Sequence, residues 1–570
     1  MRRFRFEPLL YALAFILALL VRVAKLDAMP LSDNEARWAL QALGVAQGTR
    51  PLLGSQPAYI LLTSILFYCL GAGSNFLARL VPALAGGLLV LAPRLFAERL
   101  KPRPAVILAF LLALDPGLVA LSRQAGSAIL AITFVVLAWG AWEKRHLAWA
   151  GFFAGLALMS GPAVWAGLLA LALSWAIAQA FGRGGRPAES AADDSEVVRP
   201  APRKWLTSAL YAVGTLVVFG TLFFLAPNGL SAWTAALPDY LVGWVRPSGI
   251  SMGQLLFSLL AYQPLGVILS IIVMVRGWLQ GSRRVMQLSL WALVALLLAM
   301  FYPAHQVADL AWMLLPLWAL ASLELARALN VNHEERNEVL GVIALTVVIL
   351  VFIWFNFLGL LQTAPDSDQA TLRTWLLLGS FFLLFISIML VAVGWSLRSA
   401  RYGAVLGLTV ALGLYSIGAM AGAAGLRSIP DSVEMWSSGG SLPEADLLLA
   451  TVDQTSDLSK DNIDAQAVTI AGINSPALQW LLRDHGVYVV TALDASSAPP
   501  IAITTDQNNP ALAARYRGQS FVWRLDPQWS QTGLVDWLRW VGFHQVTQNP
   551  FKVIVWVRGD LFIDSTAPKP

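Results

Sequence analysis

Two carboxylates stand close together in the stretch PLSDNEARWALQAL (residues 30–43), directly after an apolar run. Asp33 or Glu35 could act as a general base, because a carboxylate can deprotonate an acceptor hydroxyl and partial desolvation makes it a better base at neutral pH. The same residues also suit a structural role. Ser32 and Glu35 have the S-x-x-E spacing of a capping box, and Asp33 would favour a helix N-terminus through the helix dipole. The residues alone leave both interpretations open.

Other polar side chains stand where they could contact a substrate. His305 and Asp309 lie one helical turn apart at the end of an apolar run, where they could bind a ligand or cap a helix. Asp239 lies in WTAALPDYLVGWV (233–245), whose aromatic rings could cover a sugar or form an interfacial aromatic belt. Arg123 could bind a phosphate through its guanidinium or extend to lipid headgroups. The sequence has no H-E-x-x-H, P-loop or G-x-G-x-x-G motif in a supporting context, so neither a metal site nor a cofactor is predicted. The absence of these motifs does not exclude a divalent metal.

The composition is that of a membrane protein. Of the 570 residues, 57% are hydrophobic and only 13% are charged, whereas a soluble globular chain has about a quarter charged residues. Apolar runs of bilayer-spanning length recur along most of the chain. The formal charge of +5 does not indicate nucleic-acid binding, because the basic residues stand in short loops between the apolar runs. The single cysteine, Cys69, excludes an intramolecular disulfide.

The apolar runs predict about thirteen membrane spans. The first is read as a retained span rather than a cleaved signal peptide, because no small-residue cleavage site follows it. The predicted outer loop 27–77 holds two amphipathic helices lying at the interface. The predicted spans are 8–26, 79–97, 105–121, 126–142, 147–159, 161–182, 206–226, 252–275, 286–302, 308–325, 339–358, 373–396 and 403–424.

Basic residues orient these spans. Arginines at positions 2, 3 and 5 place the N-terminus in the cytoplasm, and the basic loops 98–104, 183–206 and 276–285 fall on the same side. The protein is therefore expected to lie in the plasma membrane, with its C-terminal end on the extracytoplasmic side.

Four regions follow from this organisation. A transmembrane module occupies residues 1–182, and the Gly-, Pro- and charge-rich segment 183–206 is predicted to be a disordered cytoplasmic linker. Further spans fill 207–424. Residues 425–570 are predicted to form an extracytoplasmic α/β domain with a partly parallel sheet. Its expected strands are DLLLA, AVTIAG, VYVVTAL, PPIAITT, SFVWRL and FKVIVWVRGD, and its expected helices are NSPALQWLLRDH, NPALAARY and TGLVDWLRWVGF.

A first span followed by an acidic pair opening a helix resembles the GT-C glycosyltransferases. These polytopic enzymes, among them the protein O-mannosyltransferases and lipid A aminoarabinose transferases, take sugars from polyprenyl-phosphate carriers. Further similar segments are residues 58–100, 113–130, 152–171 and 311–326, and WTAALPDYLVGWV looks closest to the Agl23-like branch. The resemblance covers about residues 1–330. It implies a catalytic carboxylate at Asp33 or Glu35, a donor-phosphate contact from Arg123 and a substrate contact from Tyr59.

The sequence departs from the family pattern at several polar positions. Asn34 separates the two acids that the family places side by side. Met159 and Ser160 replace the family's lysine before Gly-Pro, and Ser55 and Gln56 replace its Glu-Lys pair. No acid follows the Ser-Arg pair that ends at Arg123.

Three functions are therefore weighed. The first is an inverting transferase that moves a sugar from a polyprenyl-phosphate donor to a glycan, lipid or protein acceptor on the outer face, with Asp33 opening onto a cavity there. The second is a non-catalytic relative that assists polysaccharide or glycolipid assembly or export, which the missing polar groups favour. The third is a transporter, which the scarcity of charges in the predicted spans disfavours.

Overall fold

The computed structural model describes residues 6–183, 202–225, 227–332, 334–364, 367–427, 432–458, 467–505 and 512–562. Most of the predicted linker 183–206 lies outside the described residues. Helices dominate the chain up to residue 423, and a small mixed domain follows. The helices of the first part are α1 (Glu7–Val23), α2 (Asp33–Ala46), α3 (Pro57–Leu70), α4 (Asn75–Leu89), α5 (Ala92–Leu95), α6 (Ala97–Leu100), α7 (Pro102–Leu114), α8 (Pro116–Ser122), α9 (Ile129–Glu143), α10 (Leu147–Leu158), α11 (Ala163–Arg183), α12 (Pro202–Gly220), α13 (Asn228–Val242), α14 (Met252–Tyr262), α15 (Pro264–Leu279), α16 (Arg283–Phe301), α17 (Ala311–Ala328), α18 (Arg336–Gln362), α19 (Asp368–Gly394) and α20 (Leu397–Ala423).

The helices form a membrane bundle. Within the described ranges, seven are long and apolar enough to cross a bilayer, or nine if each of two bent pairs counts as one span. Each of the thirteen predicted segments falls on a helix or a bent pair, and the helices α1, α9 and α10 are short for a span, with 17, 15 and 12 residues. The mostly helical membrane architecture is confirmed, whereas the number of spans and their orientation remain predictions.

Two spans are broken at prolines. Helices α7 and α8 meet at 58° around Asp115, and α14 and α15 meet at 91° around Gln263. Each of these residues precedes a proline, and a residue in that position is disfavoured in the helical conformation. The break leaves backbone groups unpaired, and Asp115 satisfies one of them by accepting a hydrogen bond from the Leu118 amide at 2.6 Å.

The C-terminal domain contains a five-stranded mixed sheet. Its strands stand in the order β2–β1–β3–β5–β4, with β1 parallel to β2 and β3, and β5 antiparallel to β3 and β4. The predicted α/β domain with a partly parallel sheet is therefore confirmed. Its elements are α21 (Ala445–Leu458), β1 (Ala467–Ala471), α22 (Pro476–Leu481), β2 (Gly486–Val490), β3 (Ile501–Thr505), β4 (Tyr516–Pro527), α23 (Leu534–Phe543) and β5 (Gln548–Arg558).

Two predictions inside this domain are wrong. DLLLA belongs to helix α21, which buries Ala445, Leu448 and Val452 at helical spacing, a period that five residues are too few to reveal. The segment NPALAARY is not a helix in its described part, because residues 512–515 are irregular and Tyr516 begins strand β4.

The domain packs directly on the bundle. Trp480 of α22 is buried, stacks on Phe67 of α3 at 6.0 Å, and donates from its indole nitrogen to Asn75 Oδ1 at 2.8 Å. Arg483 donates to the Gly73 carbonyl oxygen at 3.0 Å. These contacts place α22 over the beginning of α2, where the acidic stretch lies.

Candidate functional site

Glu35 lies inside a saturated network of hydrogen bonds. The Ser32 amide donates to Glu35 Oε2 at 3.1 Å and the Ser32 hydroxyl accepts from the Glu35 amide at 3.4 Å, which confirms the predicted capping box. The Ala125 amide donates to Oε1 at 3.0 Å. Glu35 is therefore anchored from its own helix and from the loop that follows α8.

Arg79 of α4 completes this network. Its Nε and Nη2 donate to the two Glu35 oxygens at 2.8 Å each, and its remaining donors reach the carbonyl oxygens of Leu26, Met29 and Pro30. All five guanidinium donors thus have an acceptor. Burial alone would raise the pKa of Glu35, but the Arg79 charge and hydrogen bonds and the two backbone amides hold that pKa below its ordinary value. A buried carboxylate held this way is an ionised structural group, which argues against the predicted role of Glu35 as a base.

Asp33 faces the C-terminal domain. The Ser475 hydroxyl and the Ala477 amide donate to its Oδ1 at 2.6 and 3.0 Å, and Arg524 donates to its Oδ2 at 2.8 Å. Burial would lower the pKa of Arg524, but Asp526 and Asp33 raise it. The Asp33 side chain retains 24% exposure. Asp33 was expected to open onto a cavity, and in this structure α22 and β4 cover it instead.

Arg123 and Tyr59 make structural contacts. Arg123 donates from Nη1 to the carbonyl oxygens of Val21, Arg22 and Ala24, and from Nη2 to that of Lys25. Val21 and Arg22 belong to the last turn of α1, whose carbonyl oxygens lack helical partners, and Ala24 and Lys25 follow it directly. The guanidinium therefore caps the C-terminal end of α1. Tyr59 is buried and donates to the Ala78 carbonyl oxygen at 2.8 Å, which aligns α3 with α4.

A second group of predicted residues does come together. Tyr240 of α13 and Tyr302 at the end of α16 stack at 5.2 Å, and the Tyr302 hydroxyl donates to the Tyr240 carbonyl oxygen at 3.0 Å. Asp309 lies beside them in the 3₁₀ turn Val307–Leu310 and accepts from the Gln306 amide at 2.8 Å. The predicted helix-capping role of Asp309 is confirmed. Together with Trp312, these side chains enclose a cavity of about 20 Å³, which has room for about one water molecule.

His305 and Asp239 stand at the edge of this group. His305 is buried, with Nδ1 at 2.7 Å from the Tyr302 carbonyl oxygen and Nε2 at 2.9 Å from that of Ile250. A neutral imidazole can donate to only one of them, and a doubly protonated one donates to both. Asp239 is exposed on α13, one residue before Tyr240. Asp239 and Asp309 therefore both border the Tyr240–Tyr302 pair, as a substrate contact or an aromatic belt would require.

Sequence reasoning missed a buried polar network in the middle of the bundle. Arg22 is fully buried and donates to Ser122 Oγ at 3.1 Å and to the carbonyl oxygens of Leu112 and Ala113. Gly86 makes room for it, because a Cβ there would lie 2.9 Å from Arg22 Nε. Arg22 stood inside the first predicted span, and a charge in that position is a signal that could have been used.

Asp115 forms the other buried charge of this region. Its Oδ2 accepts from the Trp318 indole at 2.7 Å and from the Gln263 side-chain nitrogen Nε2 at 3.4 Å. Asp115 and Gln263 thus join the two broken spans at their breaks. No group of three or more metal-ligating side chains occurs among the residues that the structure describes.

Comparison with known proteins gives a fold. No protein-family model and no curated protein matches the sequence. Two solved structures of ArnT from Cupriavidus metallidurans, an aminoarabinose transferase of GT-C type, match over 99% of each chain. The structure bound to undecaprenyl phosphate has 13% identity and a TM-score of 0.54, and the apo structure has 14% and 0.53. The chain therefore shares the fold of these two structures along its length, including the C-terminal domain. These matches do not support the predicted closeness to the Agl23-like branch.

Proposed function

We propose that this protein is a membrane glycosyltransferase that takes a sugar from a polyprenyl-phosphate donor, with inversion, and passes it to an acceptor on the side where the C-terminal domain lies. The observation that carries the proposal is the full-length likeness to an ArnT structure that holds undecaprenyl phosphate. A carrier phosphate leaves readily, so the chain has to supply a base and positioning groups rather than a nucleotide-sugar metal site. The basic loops favour a plasma-membrane orientation with the N-terminus in the cytoplasm and the C-terminal domain outside.

Asp33 is our candidate for the base. The Ser475 hydroxyl donates to Asp33 Oδ1 at 2.6 Å, so a hydroxyl of this chain already occupies the position that an acceptor hydroxyl would need. Acceptor entry would then require α22 to move away from α2. Glu35 supports the same helix from beneath through its ion pair with Arg79.

The aromatic group at Asp309 is our candidate for sugar binding. Two stacked tyrosines and a carboxylate offer a flat apolar face and a hydrogen-bond acceptor, the combination that small-molecule sites commonly provide. The cavity beside them, which holds about one water molecule in this structure, would have to widen to admit a sugar. Asp239 and His305 border it and would contact the sugar or its carrier.

A non-catalytic GT-C protein that assists glycolipid or polysaccharide assembly is the second candidate. It is favoured by the engagement of both Asp33 oxygens and both Glu35 oxygens in structural contacts. Ser55, Gln56 and Met159, which replace charged residues of the family pattern, favour it as well.

Transfer from radiolabelled polyprenyl-phosphate sugars, measured with the purified chain in liposomes, separates the two candidates. Asp33→Asn should lower transfer by about 10²- to 10⁴-fold. Asp309→Asn retains an oxygen for the Gln306 amide, so it should leave stability unchanged and raise the KM for the donor about tenfold. Asp446→Asn, which changes an exposed carboxylate on α21, is the matched control and should have no effect. Saturable binding of polyprenyl phosphate without transfer from any sugar donor would establish the non-catalytic candidate instead.

A further inference from the structure

A large apolar cavity lies at the opposite end of the bundle from the acidic stretch. It measures about 460 Å³ and is lined by helices α4, α5, α6, α7, α9, α11, α16 and α17. Its lining is almost entirely apolar and includes the buried leucines Leu108, Leu112 and Leu315. A methylene group is similar in size to a water molecule, which takes about 30 Å³ in the liquid, so the cavity accommodates on the order of fifteen methylenes.

The rim of the cavity is basic. Arg99 and Arg284 line it and are exposed, and both belong to the loops that the charge distribution places on the cytoplasmic side. Arg99 is paired with Glu143 at 2.6 Å, whereas no described residue forms an ion pair with Arg284. An anionic group at the rim would therefore meet an uncompensated guanidinium.

The wall also presents an unused hydrogen-bond donor. The indole nitrogen of Trp291 is buried and has no acceptor among the described residues, and a buried donor without an acceptor is costly. Trp291 packs edge-on against Trp139 at 5.9 Å, and both rings line the cavity. An ester or phosphate oxygen entering from the rim would satisfy this donor.

We propose that this cavity binds one acyl chain of an anionic phospholipid from the leaflet that faces the basic loops. The acyl chain of the lipid fills the apolar part of the cavity around Leu108, Leu112 and Leu315. The lipid phosphate contacts Arg284, and Trp291 donates to the phosphate or ester region. A polyprenyl carrier is several times longer than an acyl chain, so most of it would remain outside a cavity of this size. This site is independent of the transfer chemistry proposed at the other end of the bundle.

Photolabelling of the full chain in nanodiscs tests the proposal. The probe is phosphatidylglycerol with a diazirine at the end of one acyl chain, and phosphatidylcholine with the same chain is the headgroup control. The phosphatidylglycerol probe should label peptides that contain Leu108 or Leu315. Arg284→Gln, an exposed change, should weaken this labelling about tenfold at limiting probe. Arg246→Gln, an exposed arginine in the loop after α13, should leave it unchanged.

A cavity-filling variant provides the second readout. Leu315→Trp should abolish labelling of the peptides that line the apolar part of the cavity. An unchanged melting temperature would show that the bundle still folds. The proposal would be overturned if the two headgroups gave equal labelling or if Arg284→Gln left the labelling unchanged. It would also be overturned if polyprenyl phosphate displaced the probe at a lower concentration than phosphatidylglycerol does.

Discussion

Replacing Asp33 should release the C-terminal domain from the bundle without unfolding it. Asp33→Ala removes the ion pair with Arg524 and the acceptor for the Ser475 hydroxyl and the Ala477 amide. The ion pair is partly exposed, so it contributes about 0.5–1.5 kcal/mol, between an exposed pair and a buried charged hydrogen bond. The two hydrogen bonds add about 1 kcal/mol each. The total of about 2–4 kcal/mol shifts the docking equilibrium about 30- to 1,000-fold.

Hydrogen exchange measures this shift directly. Amides of α22 that keep their acceptors in Asp33→Ala, such as that of Leu478 on Ser475 Oγ, should exchange faster by the stated factor. The Ala477 amide loses its own acceptor and should exchange at least as much faster. Asp33→Asn keeps an oxygen for Ser475 and Ala477 and loses only the charge, so its increase should be about 2- to 10-fold.

Two internal references show whether the domain has moved or melted. The Val555 amide in strand β5, which lies between β3 and β4, should retain its protection, and Asp446→Ala should leave α22 as it is in the wild type. Unchanged exchange at Ala477 in Asp33→Ala would refute the reasoning. Equal acceleration at Val555 would show global unfolding and refute it as well.

Two further predictions concern stability and orientation. Glu35→Gln should cost about 3–5 kcal/mol because it leaves the Arg79 charge buried without its partner, and Glu35→Gln combined with Arg79→Met should recover most of that loss in thermal unfolding. The pKa of Glu35 is lower in the folded chain than its ordinary value of 4.5, so the ionised carboxylate contributes fully to stability above pH 4.5 and this contribution is lost as the pH falls below 4.5. The melting temperature should therefore fall below pH 4.5, and less steeply in Glu35→Gln. In a Cys69→Ser background, a cysteine at Ser530 should react with a membrane-impermeant thiol reagent in intact cells and one within 183–206 should not, whereas the opposite pattern would invert the topology.

The fold could be predicted wherever a pattern is local. Apolar runs define the membrane helices, and prolines 116 and 264 define the breaks, although the angles of 58° and 91° depend on packing that no single segment specifies. In the C-terminal domain, the β-branched segments at β1 and β3 were predicted as strands. DLLLA was misassigned because its helical period becomes visible only over the whole of α21.

The same distinction explains the candidate site. The capping box of Ser32 and Glu35 spans four residues and could be predicted from the sequence. The partners of Asp33 lie 442 and 491 residues away in Ser475 and Arg524, and no spacing rule connects them. Arg123 was predicted to bind a phosphate or lipid headgroups because it stands at a helix end, and in the structure it donates to carbonyl oxygens at and just beyond the end of α1.

The long sequence separation of the Asp33 contacts has a consequence for how the protein is made. A chain elongating at about 5–20 residues per second needs about 25–100 s to synthesise the 491 residues between Asp33 and Arg524. During that time α2 is already present, and the carboxylate that α22 and β4 later cover stays open to water and to the membrane surface. The ion pair between Glu35 and Arg79 spans only 44 residues, so it can secure α2 against α4 early. The order of synthesis thus separates assembly into an early membrane-bound stage and a late closing stage, and a chain that ends before α22 would keep Asp33 permanently uncovered.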